Sequence, residues 1–162
     1  MIKKLILLVF LAVVVLAACA PEAAPADPPV VGEMPVDETI VVYSSPLCSC
    51  CGGWIDYMRD NGYTLEVESI ENLAPIKAQY GVPQRLQSCH TAVVGGYVVE
   101  GHVPADAVAR LLNERPDVAG IAVPAMPIGS PGMEVEGVEA QPYDVLAFDA
   151  SGNSEVFASY NQ

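Results

Sequence analysis

The sequence predicts an α/β fold, because short strand-like runs alternate with helical patterns over most of its 162 residues. Three observations support this class. Runs rich in Val, Ile and Thr recur between turn residues, helical spacing of apolar residues lies between those runs, and Asn, Gly and Pro stand where helices begin and end. Residues 39–162 have the length of one ordinary domain and contain no internal repeat.

The first three predicted elements are a strand, a helix and a second strand. Residues 39–43 are mostly β-branched, which predicts a strand buried on both faces. A helix is predicted over residues 52–60, with Asn61-Gly62 as its stop signal. Residues 64–70 alternate in polarity with the period of two that is typical of a strand.

A second helix, a hairpin and a third helix follow. Residues 73–80 are predicted to be helical, with a cap at Asn72 and a glycine at the end. Residues 91–94 and 97–100 are predicted to pair as a hairpin across two glycines. Residues 104–115 are predicted to form a helix that starts at a proline, where a missing N–H costs nothing.

The C-terminal part is predicted to add a β-hairpin to the sheet. Residues 144–149 and 155–159 have strand character, and the turn residues 151–153 join them. Before this hairpin, residues 122–137 are rich in Pro and Gly and are predicted to be an unusually long loop.

The N-terminus predicts export and lipidation. A short basic start precedes an unbroken apolar stretch at residues 5–18, which is too short to span a bilayer comfortably. The following motif, Leu-Ala-Ala-Cys at residues 16–19, matches the bacterial lipobox, in which Cys19 is acylated and becomes the new N-terminus. The alternative is an ordinary signal peptide cut at a neighbouring alanine. Residues 1–18 are therefore predicted to be a lipoprotein signal peptide.

The predicted anchor indicates the bacterial cell envelope. Two or more acyl chains hold a protein firmly at a membrane surface. Ala20, and not Asp, follows Cys19, which resembles the outer-membrane sorting pattern of Gram-negative bacteria. Residues 19–38 are rich in Pro and Ala and are predicted to be an extended tether. The domain at residues 39–162 is thus expected to face the periplasm, from the outer membrane if the host is Gram-negative.

The charge of the chain argues against nucleic acid as a partner. Seven basic and 20 acidic residues give a net charge of −13, and the loss of Lys3 and Lys4 with the signal peptide changes it to −15. Phosphate binding needs clustered Lys and Arg, which this chain lacks. An acidic surface attracts cations over long range, but simple solvation explains it equally well. The charge therefore does not by itself indicate a metal.

Four of the five cysteines form the strongest functional signal. Cys48, Cys50 and Cys51 lie within four residues just after the first predicted strand, and Cys89 lies just before the predicted hairpin. Thiolates are soft ligands for Cu(I), zinc or iron–sulfur clusters, and paired thiols also cycle through a disulfide. The positive end of the helix predicted after the first three cysteines favours their thiolate forms. The function is therefore metal or thiol chemistry.

The chemistry of these residues leaves several alternatives open. One ion can hardly gather the sulfurs of Cys48, Cys50 and Cys51, because the last two are neighbours, whereas several Cu(I) ions bridged by shared thiolates would use every sulfur. A zinc site of Cys48, Cys51, Cys89 and one His would leave Cys50 without a role. An iron–sulfur cluster also needs four thiolates, but exported apoproteins rarely receive one. A thiol–disulfide oxidoreductase would use Cys48 and Cys51.

Two histidines and two methionines are further candidate ligands. His90 adjoins Cys89, and adjacent residues seldom chelate one ion together; His102 stands just before a predicted helix, where capping or a surface role is the alternative. Met126 and Met133 lie in the Pro/Gly-rich segment. Thioether sulfur suits Cu(I), but methionine more often fills gaps in a core.

The order strand, helix, strand, helix, hairpin, helix is that of the thioredoxin-like fold. Residues 42–51 resemble the glutaredoxin active site, in which Ser-x-Pro-x-Cys-x-x-Cys connects a strand to a helix. Residues 80–96 resemble the thioredoxin stretch that carries a cis-proline before its third strand, although no proline stands beside Thr91 here. Cys89 or His90 falls near that place, so the resemblance brings Cys89 to the other three sulfurs.

Four motifs resemble a narrower family. They are Cys-x-Cys-Cys-Gly-x-Trp at residues 48–54, Leu-Gln-Ser-Cys-His-Thr at 86–91, Glu-Gly-His-Val-Pro-Ala at 100–105 and Met-Pro-x-Gly-Ser-Pro-Gly-Met-Glu at 126–134. Together they are similar to the periplasmic, copper-associated CopG-like proteins, and the resemblance covers residues 40–160. It implies a thioredoxin-like fold that binds copper through cysteines in copper homeostasis or resistance.

The resulting expectation is an envelope protein that holds Cu(I) in a site of Cys48, Cys50, Cys51 and Cys89. Redox interconversion of Cu(I) and Cu(II) by the thiols, and with it enzymatic turnover, is a hypothesis. The expected partners are copper ions, the membrane through the lipid on Cys19, and other copper-handling proteins of the envelope.

Overall fold

The computed structural model of the protein describes residues 38–162, which form a mixed α/β fold around one seven-stranded sheet. The strands are β1 (Ile40–Ser44), β2 (Leu65–Ser69), β3 (Thr91–Val94), β4 (Tyr97–Glu100), β5 (Gly120–Ala122), β6 (Tyr143–Phe148) and β7 (Ser154–Tyr160). The helices of this part of the chain are α1 (Ser49–Asp60), α2 (Ala74–Gln79) and α3 (Ala105–Glu114), with one 3-10 turn at Gln84–Leu86. The predicted signal peptide and most of the predicted tether, including Cys19, lie outside the described residues.

The strand order is β2-β1-β3-β4-β5-β6-β7. β1 pairs with β2 and β4 pairs with β5 in parallel, while the other neighbours are antiparallel. In the pairing of β1 with β3, Tyr43 stands opposite Thr91. The segment that follows β1 and the segment that precedes β3 therefore meet at the same edge of the sheet.

The predicted order of elements is confirmed through α3, as is the C-terminal hairpin of β6 and β7. Helix α1 begins earlier than predicted, at Ser49 and not at Gly52, so Cys50 and Cys51 lie in its first turn. Strand β5 was not predicted, because it spans three residues and shows no alternation of polarity. It pairs with β4 and β6 and thereby joins the C-terminal hairpin to the sheet.

The main hydrophobic core lies between the central strands and helices α1 and α3. Its largest member is Trp54, whose side chain is fully buried among residues of β1, β4 and α3. The indole Nε1–H of Trp54 donates to the carbonyl of Val103 at 2.8 Å, which satisfies the polar atom of this large side chain. This bond ties α1 to the segment that precedes α3, and that segment carries His102.

None of the helices within residues 38–162 has the length and continuous apolar character that crossing a bilayer requires.

The loop after β5 approaches α1 at a pair of glycines. Gly132 has φ of +79°, and a Cβ at this position would meet the backbone of Gly53 and Trp54. A Cβ on Gly53 would in turn lie 3.1 Å from the Cα and carbonyl oxygen of Gly132. The two backbones pack without side chains between them, so this part of the predicted long loop is fixed against the start of α1.

We predict that Gly132→Ala destabilises the protein more than Gly137→Ala. Gly137 has φ of +75° with no atom near its missing Cβ, so alanine there should cost only the left-handed conformation, about 1–2 kcal/mol. At Gly132 the same strain adds to a clash with the backbone of α1. Urea unfolding of the two variants measures the difference, and equal losses of stability would contradict the close packing.

Candidate metal centre

Three cysteines surround the start of α1. Cys48 occupies the N-cap position, and its backbone N–H donates to the carbonyl of Ser45 at 3.0 Å. Cys48 and Cys51 are joined by a disulfide with their Cα atoms 5.4 Å apart, and the Cys51 side chain is buried. The sulfur of Cys50 lies 3.4 Å from that of Cys48 and is partly exposed. Because the helix starts at Ser49, its free N–H groups lie at the end of the helix that carries these cysteines.

Cys89 joins these three cysteines from the segment that precedes β3. It stands two residues before β3, and β3 is paired with β1, so the chain returns to the place where β1 ends. The sulfurs of Cys48, Cys50, Cys51 and Cys89 all lie within 4.8 Å of one another. The predicted approach of Cys89 to the other three cysteines is therefore confirmed in its geometry.

Both histidines also contact Cys89. The Nε2 atom of His102 lies 2.9 Å from the Cys89 sulfur, and Nδ1 of His90 lies 3.3 Å from it. The other nitrogen of His102, Nδ1, lies 2.8 Å from the carbonyl oxygen of Pro131. A carbonyl only accepts, so Nδ1 carries the proton and the lone pair of Nε2 faces the sulfur. Cys89, His90 and His102 thus form a second group of possible ligands.

The position of His102 could have been inferred from the hairpin. In the pairing of β3 with β4, Thr91 stands opposite Glu100, and the N–H of Gly101 donates to the carbonyl of His90. One further step along both chains places His102 opposite Cys89. The two-glycine turn predicts this register, and the place of His102 follows when the same register continues beyond the ends of the strands.

Burial determines the protonation of this group. Burial and, to a smaller extent, the nearby Cys50 together raise the pKa of the Cys89 thiol to about 12. Burial lowers the pKa of His90 well below its usual value, with His102 and Lys77 adding to the effect, and it also lowers the pKa of His102. In the metal-free protein at neutral pH, both imidazoles are neutral and the Cys89 thiol keeps its proton. A metal bound at Cys89 would have to displace that proton.

The two methionines differ in their relation to the cysteines. The thioether sulfur of Met126 lies 3.9 Å from the sulfur of Cys50, and its side chain is about half exposed. Met133 closes a turn through its backbone, since its N–H donates to Ser130 and its carbonyl accepts from Gly129. Met126 is therefore the better placed of the two candidate thioether ligands.

A buried ion pair supports the segment that carries Cys89. Lys77 of α2 and Glu100 of β4 are both buried, with Nζ and Oε1 2.5 Å apart. Glu100 also accepts from the N–H of Ser88 at 2.6 Å and from the hydroxyl of Thr91 at 2.7 Å. The carboxylate therefore holds the residues on either side of Cys89 and His90. This pair was not predicted, because its signal in the sequence is only an acidic residue that ends an apolar strand.

We predict that Lys77→Met destabilises the protein by about 3–5 kcal/mol, because it leaves the Glu100 carboxylate buried without its cation. The double variant Lys77→Met, Glu100→Gln should recover part of this loss, since no uncompensated charge remains. Arg59→Met is the control, because the pair that Arg59 forms with Asp56 is exposed and is worth less than about 1 kcal/mol. Equal effects of Lys77→Met and Arg59→Met on urea unfolding would contradict a structural role for the buried pair.

The fold and its cluster define a class of protein, a mixed α/β domain with a cysteine cluster that could hold a metal. The sequence profile of a family described as "Protein of unknown function, DUF411" matches residues 86–133. Two solved structures, titled copper resistance protein CopG forms 1 and 2, are each 40% identical in sequence, with TM-scores of 0.71 and 0.72. Each comparison covers 76% of this chain and 98% of the solved chain. No curated protein sequence gives a significant match. The chain belongs to the family of the copper resistance protein CopG.

Proposed function

We propose that the protein binds Cu(I) through the thiolates of Cys48, Cys50, Cys51 and Cys89 and acts in copper homeostasis or resistance. The observation that carries this proposal is the meeting of four sulfurs within 4.8 Å at one edge of the sheet. Thiolate sulfur is the ligand type that selects Cu(I). Membership of the family of a copper resistance protein makes copper the first metal to consider.

The spacing of the four sulfurs suits thiolate-bound metal. A tetrahedral ion with metal–sulfur bonds of about 2.3 Å holds its ligands about 3.8 Å apart. Separations up to 4.8 Å are compatible with this geometry and also with several ions that share bridging thiolates. Cys48 and Cys51 must be reduced before either arrangement can form, because their disulfide leaves only Cys50 and Cys89 as thiols.

The same sulfurs offer a route for electrons between thiols and copper. Oxidation of the Cys48 and Cys51 thiolates to the disulfide releases two electrons, which reduce two Cu(II) ions to two Cu(I) ions. Cys50 and Cys89 keep their thiols and remain available as ligands. Repeated cycles would require an external dithiol to reduce the disulfide. On this proposal the protein interconverts Cu(II) and Cu(I) as substrate and product.

A thiol–disulfide oxidoreductase is the second candidate, and the Cys48–Cys51 disulfide at the start of α1 favours it. We infer a thioredoxin-like core from the order β2-β1-β3-β4, in which β1 and β2 are parallel and the other two pairs are antiparallel. Cys50 and Cys89 have no role in simple exchange between a dithiol and a disulfide. Their nearness to the disulfide is the reason that copper binding ranks first.

We further propose that Cys19 anchors the protein in the bacterial envelope, with the folded domain in the periplasm. The support is the lipobox at residues 16–19 and the Pro/Ala-rich stretch after it. Other copper-handling proteins of the envelope are the partners that this location would provide.

We predict that Cys89→Ser weakens Cu(I) binding about as much as Cys50→Ser, because each change removes one of four sulfurs. Each affinity is measured by competition with a Cu(I) chelator, on protein reduced and handled without oxygen. X-ray absorption should show copper at short sulfur distances, with thermal unfolding as the control for the fold.

The same samples separate the alternatives. Zinc in the purified protein would indicate a structural site, and no metal with an active disulfide would indicate the oxidoreductase. Undiminished Cu(I) affinity in Cys89→Ser would contradict the four-sulfur site. Cu(I) produced repeatedly from Cu(II) and an external dithiol, faster than by the dithiol alone, would establish turnover, whereas a single stoichiometric event would indicate storage or transfer.

Cys19→Ser tests the anchor. We predict that this variant leaves the membrane fraction for the soluble envelope fraction or stays unprocessed, because it lacks the acylated residue. Cell fractionation with mass measurement of the N-terminus distinguishes these results. Normal membrane retention with a cleaved signal peptide would contradict lipidation.

A further inference from the structure

Several aromatic side chains gather at the start of α3, and the copper function proposed above does not use them. We call them the α3 aromatic group, which consists of Trp54, Tyr57, Tyr63, Tyr143 and Tyr160. We propose that this group is an electron relay, which carries oxidising equivalents from the metal centre to Tyr160, where Asp106 takes up the phenolic proton. The inference rests on the proposed copper function only for the source of the oxidant.

Trp54 is the inner end of the relay. It is the single tryptophan of the chain, and its side chain is fully buried. Its ring centroid lies 4.5 Å from that of His90, whose Nδ1 lies 3.3 Å from the sulfur of Cys89. Tryptophan and tyrosine are the side chains outside the sulfur-containing ones that lose one electron most easily. An oxidant formed at the sulfurs therefore has a ring in reach that can reduce it.

The hydrogen bond of Trp54 determines what its oxidised form is. The indole Nε1–H donates to the carbonyl of Val103 at 2.8 Å. A carbonyl oxygen accepts a hydrogen bond but is too weak a base to take the proton when the ring loses an electron. The oxidised ring is therefore a radical cation, which is a stronger oxidant than the neutral radical. One electron, without a proton, restores the indole.

Two tyrosines connect Trp54 to the first residue of α3. Tyr57 lies three positions after Trp54 on α1, a spacing that makes side chains neighbours. The hydroxyl of Tyr57 accepts from the N–H of Ala105 at 3.2 Å, and the hydroxyl of Tyr63 donates to the carbonyl of Ala105 at 3.1 Å. Tyr63 belongs to the same core as Trp54, and Tyr57 packs against it. The rings thus form continuous packing for an electron to cross.

Tyr160 is the outer end, because the partner of its hydroxyl can take a proton. Its O–H donates to Oδ2 of Asp106 at 3.0 Å, and its ring stacks on Tyr143 with centroids 5.3 Å apart. Tyr63, in contrast, donates to a carbonyl, which cannot take the proton. Burial and, to a smaller extent, Asp106 raise the pKa of Tyr160, so the phenol keeps its proton until it is oxidised. Tyr160 is partly exposed, so a small reductant in solvent can reach it.

The oxidant that the relay removes is a peroxide. Peroxide takes one electron from bound Cu(I), which becomes Cu(II), and one electron from Trp54. With two protons from solvent, its O–O bond breaks and it leaves as two molecules of water. An oxidant reduced in this way no longer converts the thiols of Cys50 and Cys89 to sulfinic and sulfonic acids, which are irreversible products.

The relay step then moves one electron and one proton. Tyr160 gives an electron to the Trp54 radical cation, and its phenolic O–H bond breaks as the carboxylate of Asp106 takes the proton. The products are a neutral indole, a tyrosyl radical and a protonated Asp106. A thiolate in solvent returns the electron and becomes a thiyl radical, and Asp106 returns the proton to Tyr160.

An aromatic core without redox function is the simplest alternative. Packing accounts for the burial of the rings, but it requires neither the carboxylate of Asp106 at the outer phenol nor the ring of His90 against the inner indole. These two contacts give the group one end beside the sulfurs and another at a proton acceptor in solvent.

Flash photolysis of the metal-free full chain, with the Cys48–Cys51 disulfide intact, tests the relay without copper. A pulse at a wavelength that tryptophan absorbs and tyrosine does not removes an electron from Trp54, and nitrate in solution captures it. Because the chain has one tryptophan, the radical starts at a single site. We expect the absorption of the tryptophan radical to decay while that of a tyrosyl radical rises at the same rate.

Three variants locate the outer end. Tyr160→Phe should abolish most of the tyrosyl signal and prolong the tryptophan radical. Tyr97→Phe is the matched control, because Tyr97 is also partly buried but donates to the carbonyl of Pro116, away from the start of α3. Asp106→Asn keeps an oxygen that accepts the hydrogen bond but is not a base, so it should slow the transfer. Thermal unfolding of each variant controls for folding.

A tryptophan radical that decays without a tyrosyl signal would overturn the relay, as would an unchanged transfer rate in Tyr160→Phe. If Tyr160→Phe does not fold, Asp106→Asn decides, and transfer at the wild-type rate in that variant overturns the role of Asp106 and with it the relay.

The link to copper is measured separately, on reduced protein loaded with Cu(I) and treated with hydrogen peroxide. Mass spectrometry should find more sulfinic and sulfonic acid on the cysteines of Tyr160→Phe than on those of Tyr97→Phe. Equal oxidation of the two variants would overturn the protection of the metal centre. A chain that passes the photolysis test but does not bind Cu(I) contradicts the copper function and keeps the relay.

Discussion

The pairing of β3 with both β1 and β4 is the constraint on which the candidate metal centre depends. It fixes Thr91 opposite Tyr43 on one side and opposite Glu100 on the other. The chain segments just beyond these pairs meet at one edge of the sheet and bring together cysteines and histidines from three parts of the sequence. A shift of one residue in this register would turn every side chain of the strand to the other face. The pairing that buries the core therefore also sets the donor geometry.

A buried polar network keeps this edge of the sheet in one conformation. Burying Lys77 and Glu100 costs desolvation, which close contact and further hydrogen bonds must offset. The Glu100 carboxylate meets that requirement by accepting bonds from Lys77, Ser88 and Thr91. The segment around Cys89 is held by charge-assisted bonds, while the indole of Trp54 holds the segment before α3 from within the core. Donor atoms that must meet a small ion at fixed distances benefit from both supports.

The cluster combines two kinds of chemistry at one place. The sulfurs at the start of α1 can form a disulfide or bind soft metal ions, and the imidazoles favour the harder oxidation state of the same metals. Cys89 lies between them and contacts both histidines. Burial keeps its thiol protonated in the metal-free protein, so metal binding and proton release are linked at this residue.

The sequence alone determined the order of elements through α3, the C-terminal hairpin and the four cysteines as candidate donors, because periodicity, turn residues and thiol chemistry are local properties. It did not determine β5, whose three residues become a strand only through pairing with β4 and β6. Nor did it determine the buried contact of Lys77 with Glu100, and the place of His102 beside Cys89 would have followed only from extending the hairpin register beyond the strand ends. These contacts join residues that are distant along the chain, and only the folded sheet brings them within bonding distance.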